Sequence, residues 1–292
     1  MKMSLQKVLC ILSIVIFTGT FISCNLINPE EQIPSYIRID SISLSIQDYS
    51  EYGSSSNKIT DAWVYIDDQL IGAFELPAKF PVLWEGTHTV TVKAGIKVNG
   101  IAATRAIYPF YQPYVISMNL IKDSIITLNP TVTYFPSTVK WNEDFEVGIS
   151  LVKTSFSDTT IGTTLAGDPE AFDEGISGVV HLDAARDFFQ CTTINYYELP
   201  RADNPVFLEM NYKTNEKIMV GLYANSTTQS ERLEILNINS SNTWNKIYIN
   251  LNNAINRTTI NPDNFYVFFE VQKSSDVSSS KILFDNIKLV HF

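Results

Sequence analysis

The stretch VFLEMNY, residues 206–212, decides the fold class because its side chains alternate between apolar and polar. Glu209 and Asn211 would point to one side of a strand, and the apolar side chains to the other: Val206, Leu208, Met210 and Tyr212. A period of two is typical of a β-strand with one buried face. The pattern recurs in ISLSI (42–46) and HTVTV (88–92), and no segment after the leader shows a convincing amphipathic helix. The sequence therefore predicts an all-β fold.

Clusters of Gly, Asn, Ser and Pro separate the short strands and predict two β-sandwiches. The first would span residues 36–135 with roughly seven strands, and the second residues 139–292 with roughly ten. Pro136, in FPSTVKW (135–141), would interrupt the strand ladder and mark the boundary. The segment EYGSSSNK (51–58) is expected to form a flexible, solvent-exposed loop.

Composition excludes one broad class of function. The chain has 292 residues, of which 45% are hydrophobic and 12% aromatic, enough to fill real cores. Its formal net charge is −10, and removal of residues 1–23 leaves 19 basic against 31 acidic residues, a net charge of −12. Without any basic cluster, this balance opposes general nucleic-acid binding, which depends on neutralising phosphates.

Residues 1–23 predict a secretory signal peptide. Lys2 and Lys7 form a positive start, and VLCILSIVIF (8–17) is an apolar run of suitable length for a signal core. The run is too short and too interrupted for a comfortable membrane span. An uncleaved helical anchor and ordinary secretion remain alternatives.

The four residues FISC (21–24) resemble a bacterial lipobox, in which a small residue precedes the cysteine that receives the lipid. The resemblance implies that Cys24 becomes the first mature residue and carries acyl chains such as palmitate, which hold a protein at a bilayer. Residues 24–35 would then form the lipidated tether. Asn25 is not the aspartate that retains many such proteins at the inner membrane, which favours an outer-membrane or cell-surface location, with the periplasmic face as an alternative.

Outside the leader and the lipobox, the chain has a single cysteine, Cys191. A single thiol cannot form an internal disulfide, and two distant cysteines do not make a metal site. Cys191 is therefore expected to be a small buried residue in a strand.

The stretch VYIDDQLIGAFELPAKFPVLWEGTHTVTVKAG (64–95) resembles the PEGA type of small β-sandwich repeat. An Asp-rich turn, an Ile-Gly, a Leu-Pro, a Gly-x-His and a Val-x-Val strand follow one another. These are Asp67, Asp68, Ile71, Gly72, Leu76, Pro77, Gly86, His88, Val90 and Val92. The resemblance implies an Ig-like or PEGA-like sandwich that acts as a spacer or interaction module.

The second block resembles jelly-roll carbohydrate-binding modules of the galactose-binding-like kind. The motifs are NEDFE (142–146), FDEGISGVVHLD (172–183), TWNKIYINL (243–251) and ILFDNIKLV (282–290). The resemblance implies a structural Ca²⁺ ion held by Glu146 and Asp285.

The alternation in the last strand gives a separate reason for a partner at Asp285, because it places this carboxylate on the core face with Leu283, Ile287 and Leu289. A buried carboxylate needs compensation. Calcium is one solution, and backbone amides or a lysine are another.

Exposed aromatic rings could stack on sugars, and four are candidates for ligand binding: Trp84, Tyr108, Tyr111 and Trp244. The segment IYPFYQPY (107–114) could equally be an edge strand or a domain-contact surface. No catalytic residues are predicted, because the three histidines are scattered and no nucleophile elbow or phosphate loop is present. Carboxylates cluster at 143–146 and 168–174, but sequence spacing cannot supply the separation that a glycosidase needs.

Together these features predict a non-catalytic, lipid-anchored envelope protein of the Bacteroidetes type. Its Ig-like domain would hold a jelly-roll module that binds glycan or a surface partner. One alternative is a structural or assembly subunit of an envelope protein complex, and another is a glycoside-active enzyme.

Overall fold

The computed structural model describes residues 31–292, so Cys24 and the expected signal peptide lie outside the described residues. Almost every regular element in this range is a β-strand, which confirms the predicted all-β fold. The helical elements are α1 (Tyr49–Tyr52), α2 (Asn252–Arg257) and a 3₁₀ turn (Phe172–Glu174). Within residues 31–292 no helix has the length and apolar character needed to cross a membrane.

Ten strands form the first sandwich. They are β1 (Ser35–Ile39), β2 (Ser43–Leu44), β3 (Asp61–Ile66), β4 (Gln69–Glu75), β5 (Ala78–Val82), β6 (Gly86–Lys97), β7 (Arg105–Ile107), β8 (Tyr114–Leu120), β9 (Ile125–Leu128) and β10 (Thr131–Val132). One sheet has the order β5-β1-β9, and the other has the order β4-β3-β6-β7 with β8 beside β6. Strands β2 and β10 form a separate parallel pair. Alternate side chains of both sheets, such as Ile37, Val64 and Val92, fill the core between them.

The hairpin between β3 and β4 turns on the two aspartates that the sequence singled out. Asp67 and Asp68 have φ angles of 46° and 65°, and a two-residue turn with positive φ at both positions matches the twist of the flanking strands. The Asp67 carboxylate accepts hydrogen bonds from His88 Nδ1 at 2.6 Å and from the Thr89 amide at 2.9 Å. The other ring nitrogen of His88 lies 3.0 Å from the Glu85 carbonyl, so both nitrogens bind the fold and His88 has a structural role here. The hydrogen bond to Asp67 raises the pKa of His88.

Eleven strands form the second sandwich. They are β11 (Val139–Glu143), β12 (Leu151–Lys153), β13 (Gly162–Thr163), β14 (Gly178–Leu182), β15 (Phe188–Thr193), β16 (Val206–Thr214), β17 (Ile218–Asn225), β18 (Ser230–Ile238), β19 (Ser241–Asn250), β20 (Asn264–Gln272) and β21 (Ser280–His291). The six-stranded sheet has the order β13-β14-β21-β16-β19, with β11 beside β21, and the five-stranded sheet has the order β12-β15-β20-β17-β18. The apolar side of VFLEMNY faces the core between them, as predicted, and Cys191 is buried in that core.

The first sandwich packs on the outer face of the six-stranded sheet. Phe207, Tyr248 and Val290 point out of the second sandwich and join the apolar core of the first. The Asn99 amide donates to the Tyr248 carbonyl at 2.8 Å. The six-stranded sheet therefore lies between the two cores and contributes side chains to both. The boundaries at 36–135 and 139–292 stay a prediction.

The segment 51–58 is irregular after α1, as expected of a loop, but it is partly buried at this interface and is not simply a surface loop. The Ser54 amide donates to Asn286 Oδ1 at 2.9 Å, and Lys288 Nζ donates to the Ser54 carbonyl at 3.1 Å. The Lys58 amide donates to the Tyr248 hydroxyl at 3.1 Å. A polar side chain of the segment also takes part, since Ser56 Oγ accepts from Asn211 Nδ2 at 2.8 Å.

A buried charged cluster lies at the centre of the interface, and we call Glu209, Lys246, Lys288, Tyr108 and Tyr134 the interface cluster. The hydroxyls of Tyr108 and Tyr134 donate to Glu209 Oε1 at 2.6 and 2.8 Å, and Lys246 Nζ lies 2.9 Å from Glu209 Oε2. Burial raises the pKa of Glu209, but the charges of Lys246 and Lys288 outweigh it and hold the pKa below its usual value. Burial also lowers the pKa of Lys288 to about 7.

Candidate functional site

The outer face of the five-stranded sheet, which we call the open face, is the strongest candidate for a binding surface. The first sandwich covers the other sheet, while this face exposes Val152, Ile194 and Tyr196 by 47–56%. The face is formed by the outward side chains of β12, β15, β20, β17 and β18 together with residues 194–196.

Three tyrosines form a row across the open face. Tyr223 and Tyr266 occupy opposite positions on the paired strands β17 and β20. The Tyr196 ring meets the Tyr266 ring edge-on, with centroids 6.3 Å apart and an interplanar angle of 68°. Tyr223 and Tyr266 are partly exposed, and Tyr196 is 56% exposed. The row therefore presents aromatic surface to solvent on a rigid sheet.

A polar cluster lies beside this row and forms a hydrogen bond with one of its members, Tyr223. Gln190 is only 4% exposed, and its Nε2 donates to Glu270 Oε2 at 2.5 Å while its Oε1 accepts from Thr154 Oγ1 at 2.8 Å. The Tyr223 hydroxyl also donates to Gln190 Oε1, at 3.3 Å. Arg232 Nη2 donates to Glu270 Oε2 at 2.9 Å. Because these groups are held by one another, a ligand would find them pre-positioned.

Phe268 forms the apolar floor under the polar cluster. The Arg232 guanidinium lies 4.8 Å from the centroid of its ring, and the Tyr223 ring lies 5.0 Å away. The ring rests on the backbone of Gly221, where an added Cβ would lie 2.4 Å from Phe268 Cζ and 2.4 Å from the Leu233 carbonyl oxygen. Only glycine fits this position without moving the floor.

A polar cleft of about 470 Å³ continues the open face at one end. Its lining includes Met219, Asn237, Glu270, Gln272, Lys217 and Glu216. Glu216 is buried and accepts hydrogen bonds from Ser274 N, Ser274 Oγ and Ser280 Oγ at 2.9, 2.6 and 2.6 Å. Burial raises the pKa of Glu216, but these hydrogen bonds outweigh it and leave the pKa below its usual value. The cleft thus offers a methionine together with amide, ammonium and carboxylate groups.

The two predicted calcium ligands lie in one pocket, away from the open face. Glu146 and Asp285 line a cavity of about 250 Å³ with Asp144 and Asp173. Glu146 Oε1 accepts from the Ile176 amide at 2.8 Å, and Asp285 accepts from Ser177 Oγ at 2.5 Å. Burial raises the pKa of Asp285 to about 7. In the described part of the chain, no group of three or more His, Cys, Asp or Glu residues could hold a metal ion, and calcium binding stays a prediction.

Asp285 is buried, but not on the core face where simple alternation placed it. The pairing of β16 with β21 shifts register between Glu209 and Asn211, and Asn286 has a φ of 45°. This bulge puts Ile287 and Leu289 in the core while Asp285 points into the pocket. One extra residue in a strand reverses the side to which the following side chains point.

Tyr108 and Tyr111 are not exposed binding residues, and this expectation is corrected. They are 1% and 5% exposed, because the segment 107–114 is packed between the sandwiches. Tyr108 donates to Glu209, and the Tyr111 and Tyr248 hydroxyls lie 3.2 Å apart. The domain-contact interpretation of this segment is the one that fits.

Trp84 and Trp244 are both partly buried, and they lie in different sandwiches. Trp84 packs at the edge of the first core. Trp244 donates its indole N–H to the Glu170 carbonyl at 3.0 Å, and its ring meets Phe172 edge-on at 5.3 Å. Trp244 thus fastens a loop to the six-stranded sheet, and a ligand-binding role for either tryptophan stays a prediction.

The residues of the open face were not predicted from the sequence. The segment NFYVFFEVQ (264–272) holds the signal, because Tyr266, Phe268 and Glu270 alternate with core residues. The alternation is hard to see because almost every residue of this segment is apolar. Tyr196 could not be found by alternation at all, since it lies outside any strand.

No protein-family model matches the chain, and no curated protein matches its sequence. Among solved structures, the enzymatically active domain of Bacteriophage CBA120 tailspike protein 4 is 13% identical with a TM-score of 0.39, over 57% of this chain and 26% of the tailspike chain. A family 11 carbohydrate-binding module of a cellulosomal cellulase of Clostridium thermocellum is 15% identical with a TM-score of 0.36, over 53% of this chain and 95% of the module.

A third solved structure comes from work on the promiscuous specificity of carbohydrate-binding modules of the β-sandwich superfamily. It is 11% identical with a TM-score of 0.41, over 90% of this chain and 100% of the other. At these identities and scores, the similarities establish neither family membership nor a function for this chain.

Proposed function

We propose that this chain is a non-catalytic, lipid-anchored envelope protein whose second sandwich binds glycan on its open face. The observation that supports the proposal best is the row of Tyr196, Tyr266 and Tyr223 beside the cluster of Gln190, Glu270 and Arg232. Flat rings suit the apolar faces of pyranose rings, and fixed polar groups suit their hydroxyls.

The polar groups have the chemistry that sugar hydroxyls require. Glu270 is an acceptor, Arg232 is a donor, and the amides of Asn237 and Gln272 in the adjoining cleft are both. Since Glu270 and Arg232 already bind each other, a glycan would not have to order them on binding. This arrangement favours an extended saccharide that crosses the tyrosine row and ends in the cleft.

The lipid anchor in this proposal rests on the FISC motif, with Cys24 as the attachment residue. Residues 24–35 would tether the first sandwich to an outer-membrane or cell-surface bilayer, and the first sandwich would carry the glycan-binding sandwich. Mass spectrometry of the native protein tests this part: acylated Cys24 supports it, and an unmodified thiol or an intact leader contradicts it.

Substitution of the row tests the binding site directly. We expect Tyr266→Ala and Tyr196→Ala each to weaken binding of a matching oligosaccharide by about tenfold or more, because each removes a ring on which a sugar would stack. A tenfold loss corresponds to about 1.4 kcal/mol of binding free energy. Tyr49→Ala is a matched control, because Tyr49 is 64% exposed but lies beside the pocket of Glu146 and Asp285 and not on the open face. Equal affinity in all four proteins, measured by calorimetry after a glycan-array screen, would contradict the proposed site.

A further inference from the structure

The end of the first sandwich that lies next to residues 31–34 has several exposed apolar side chains. Ile33, Leu83, Ile121 and Ile125 are each 56–59% exposed. We call these four residues and the partly buried Trp84 the apolar end.

Strand pairing and loop hydrogen bonds bring these residues together. Ser35 at the start of β1 pairs with Val82 at the end of β5, and Tyr36 pairs with Ile125. The Asp123 amide donates to the Pro34 carbonyl at 3.0 Å, which holds the loop after β8 against the incoming chain. Ile33, Leu83 and Trp84 line one shallow cavity together with Lys122.

The position of this surface in the chain suggests what it contacts. Ile33 is nine residues after Cys24, and the seven residue steps from Cys24 to Glu31 can span at most about 25 Å. A lipid on Cys24 would therefore keep Glu31 within that distance of the bilayer, and the apolar end begins two residues later at Ile33.

The charges at this end indicate an apolar contact and not an electrostatic one. Lys122 lies 2.8 Å from Glu85, and His88 is paired with Asp67 at 2.6 Å. Glu31 lines the same cavity and Asp123 lies in the loop after β8, and both add negative charge. Without an excess of basic residues, this surface has nothing to attract it to anionic headgroups.

We propose that the apolar end is a membrane-contact surface, on which Ile33, Leu83, Trp84, Ile121 and Ile125 rest against the lipid bilayer. The inference depends on the proposed anchor at Cys24. Contact through several points would orient the chain, with the first sandwich on the membrane and the open face carried away from the anchor.

Tryptophan quenching by lipid tests the inference. The purified acylated protein is reconstituted into phosphatidylcholine vesicles with or without bromine on the acyl chains, and flotation establishes that it is bound. We expect bromolipid to quench part of the emission, Trp84→Phe to remove most of that quenchable part, and Trp244→Phe to leave it in place. Quenching should persist at high salt, since the contact is apolar.

A second variant separates the surface from the anchor. We expect Leu83→Asp with Ile121→Asp to leave flotation unchanged, because the lipid still holds the chain, and to reduce Trp84 quenching several-fold. If the wild-type protein floats but Trp84 is not quenched, the membrane-contact inference is overturned while the anchor stands. If that floating protein is also a dimer, the surface is assigned to a second copy. A protein that neither floats nor contains acylated Cys24 overturns the anchor and the inference together.

Discussion

Replacement of Glu209 by glutamine should show how strongly the interface cluster stabilises the protein. Glu209 is fully buried and faces Lys246, which is 3% exposed, and Lys288, which is fully buried. The amide keeps the size of the side chain and can still accept from Tyr108 and Tyr134, so the main loss is the negative charge. Removal of one partner from a buried ion pair costs about 3–5 kcal/mol, because the other charge is left uncompensated. We expect a loss near the lower end of that range.

The assay is urea unfolding followed by far-ultraviolet circular dichroism and tryptophan fluorescence. A total stability of about 5–15 kcal/mol is ordinary for a folded protein, so a loss of this size should move the midpoint clearly. The double variant Glu209→Gln with Lys246→Met should be less destabilised than the sum of the single variants by about 1 kcal/mol or more, since the paired charges disappear together.

Glu75→Gln is the matched control. Glu75 also binds two basic side chains, Lys97 and Arg105, but it lies at the surface with 58% of its side chain exposed. We expect no clear change in the urea midpoint of this variant. If Glu209→Gln unfolds at the same urea concentration as Glu75→Gln, the reasoning about the interface cluster is refuted.

Three further predictions concern other parts of the chain. The pKa of Lys288 is lowered to about 7 from 10.5, so the unfolded state binds the extra proton between these values and stability should rise with pH from about 7 to 9. In Lys288→Met the free energy of unfolding should rise less steeply with pH over this range, by up to about 1.4 kcal/mol per pH unit. Parallel plots of unfolding free energy against pH for wild type and variant would contradict the lowered pKa of Lys288. Gly221→Ala should lower the free energy of unfolding by about 1–3 kcal/mol and weaken glycan binding, because the methyl group displaces Phe268. An unchanged free energy of unfolding together with an unchanged affinity would count against Phe268 as the floor of the polar cluster. If Glu146 and Asp285 bind Ca²⁺, the melting temperature should fall on chelation in the wild type and not in Asp285→Asn, and a wild-type transition indifferent to chelator would exclude the site.

Local patterning was sufficient for the fold because one face of most strands is buried. The alternation in VFLEMNY correctly identified the core side of β16, although Glu209 and Asn211 on the other side are buried as well. The resemblance to the PEGA type correctly placed a turn at Asp67 and Asp68. Alternation failed at Asp285, since the bulge near Asn286 depends on how two strands pair and not on the sequence of either alone.

The site was harder to predict because burial of one sandwich by the other leaves no alternation of apolar and polar residues in the sequence. Tyr108 and Tyr111 look like a surface platform in the sequence, and only the packing of the two sandwiches shows that they are covered. Tyr196, Tyr223 and Tyr266 come from three separate segments, and their row exists only once the five-stranded sheet has formed.

The most direct test of glycan binding on the open face is to observe the ring signals of labelled tyrosines by nuclear magnetic resonance during titration with a bound oligosaccharide. The proposed function requires saturable shifts at Tyr196, Tyr223 and Tyr266, with Tyr49 unaffected. Shifts confined to Trp84, Trp244 or the first sandwich, with the three tyrosines unchanged, would contradict it.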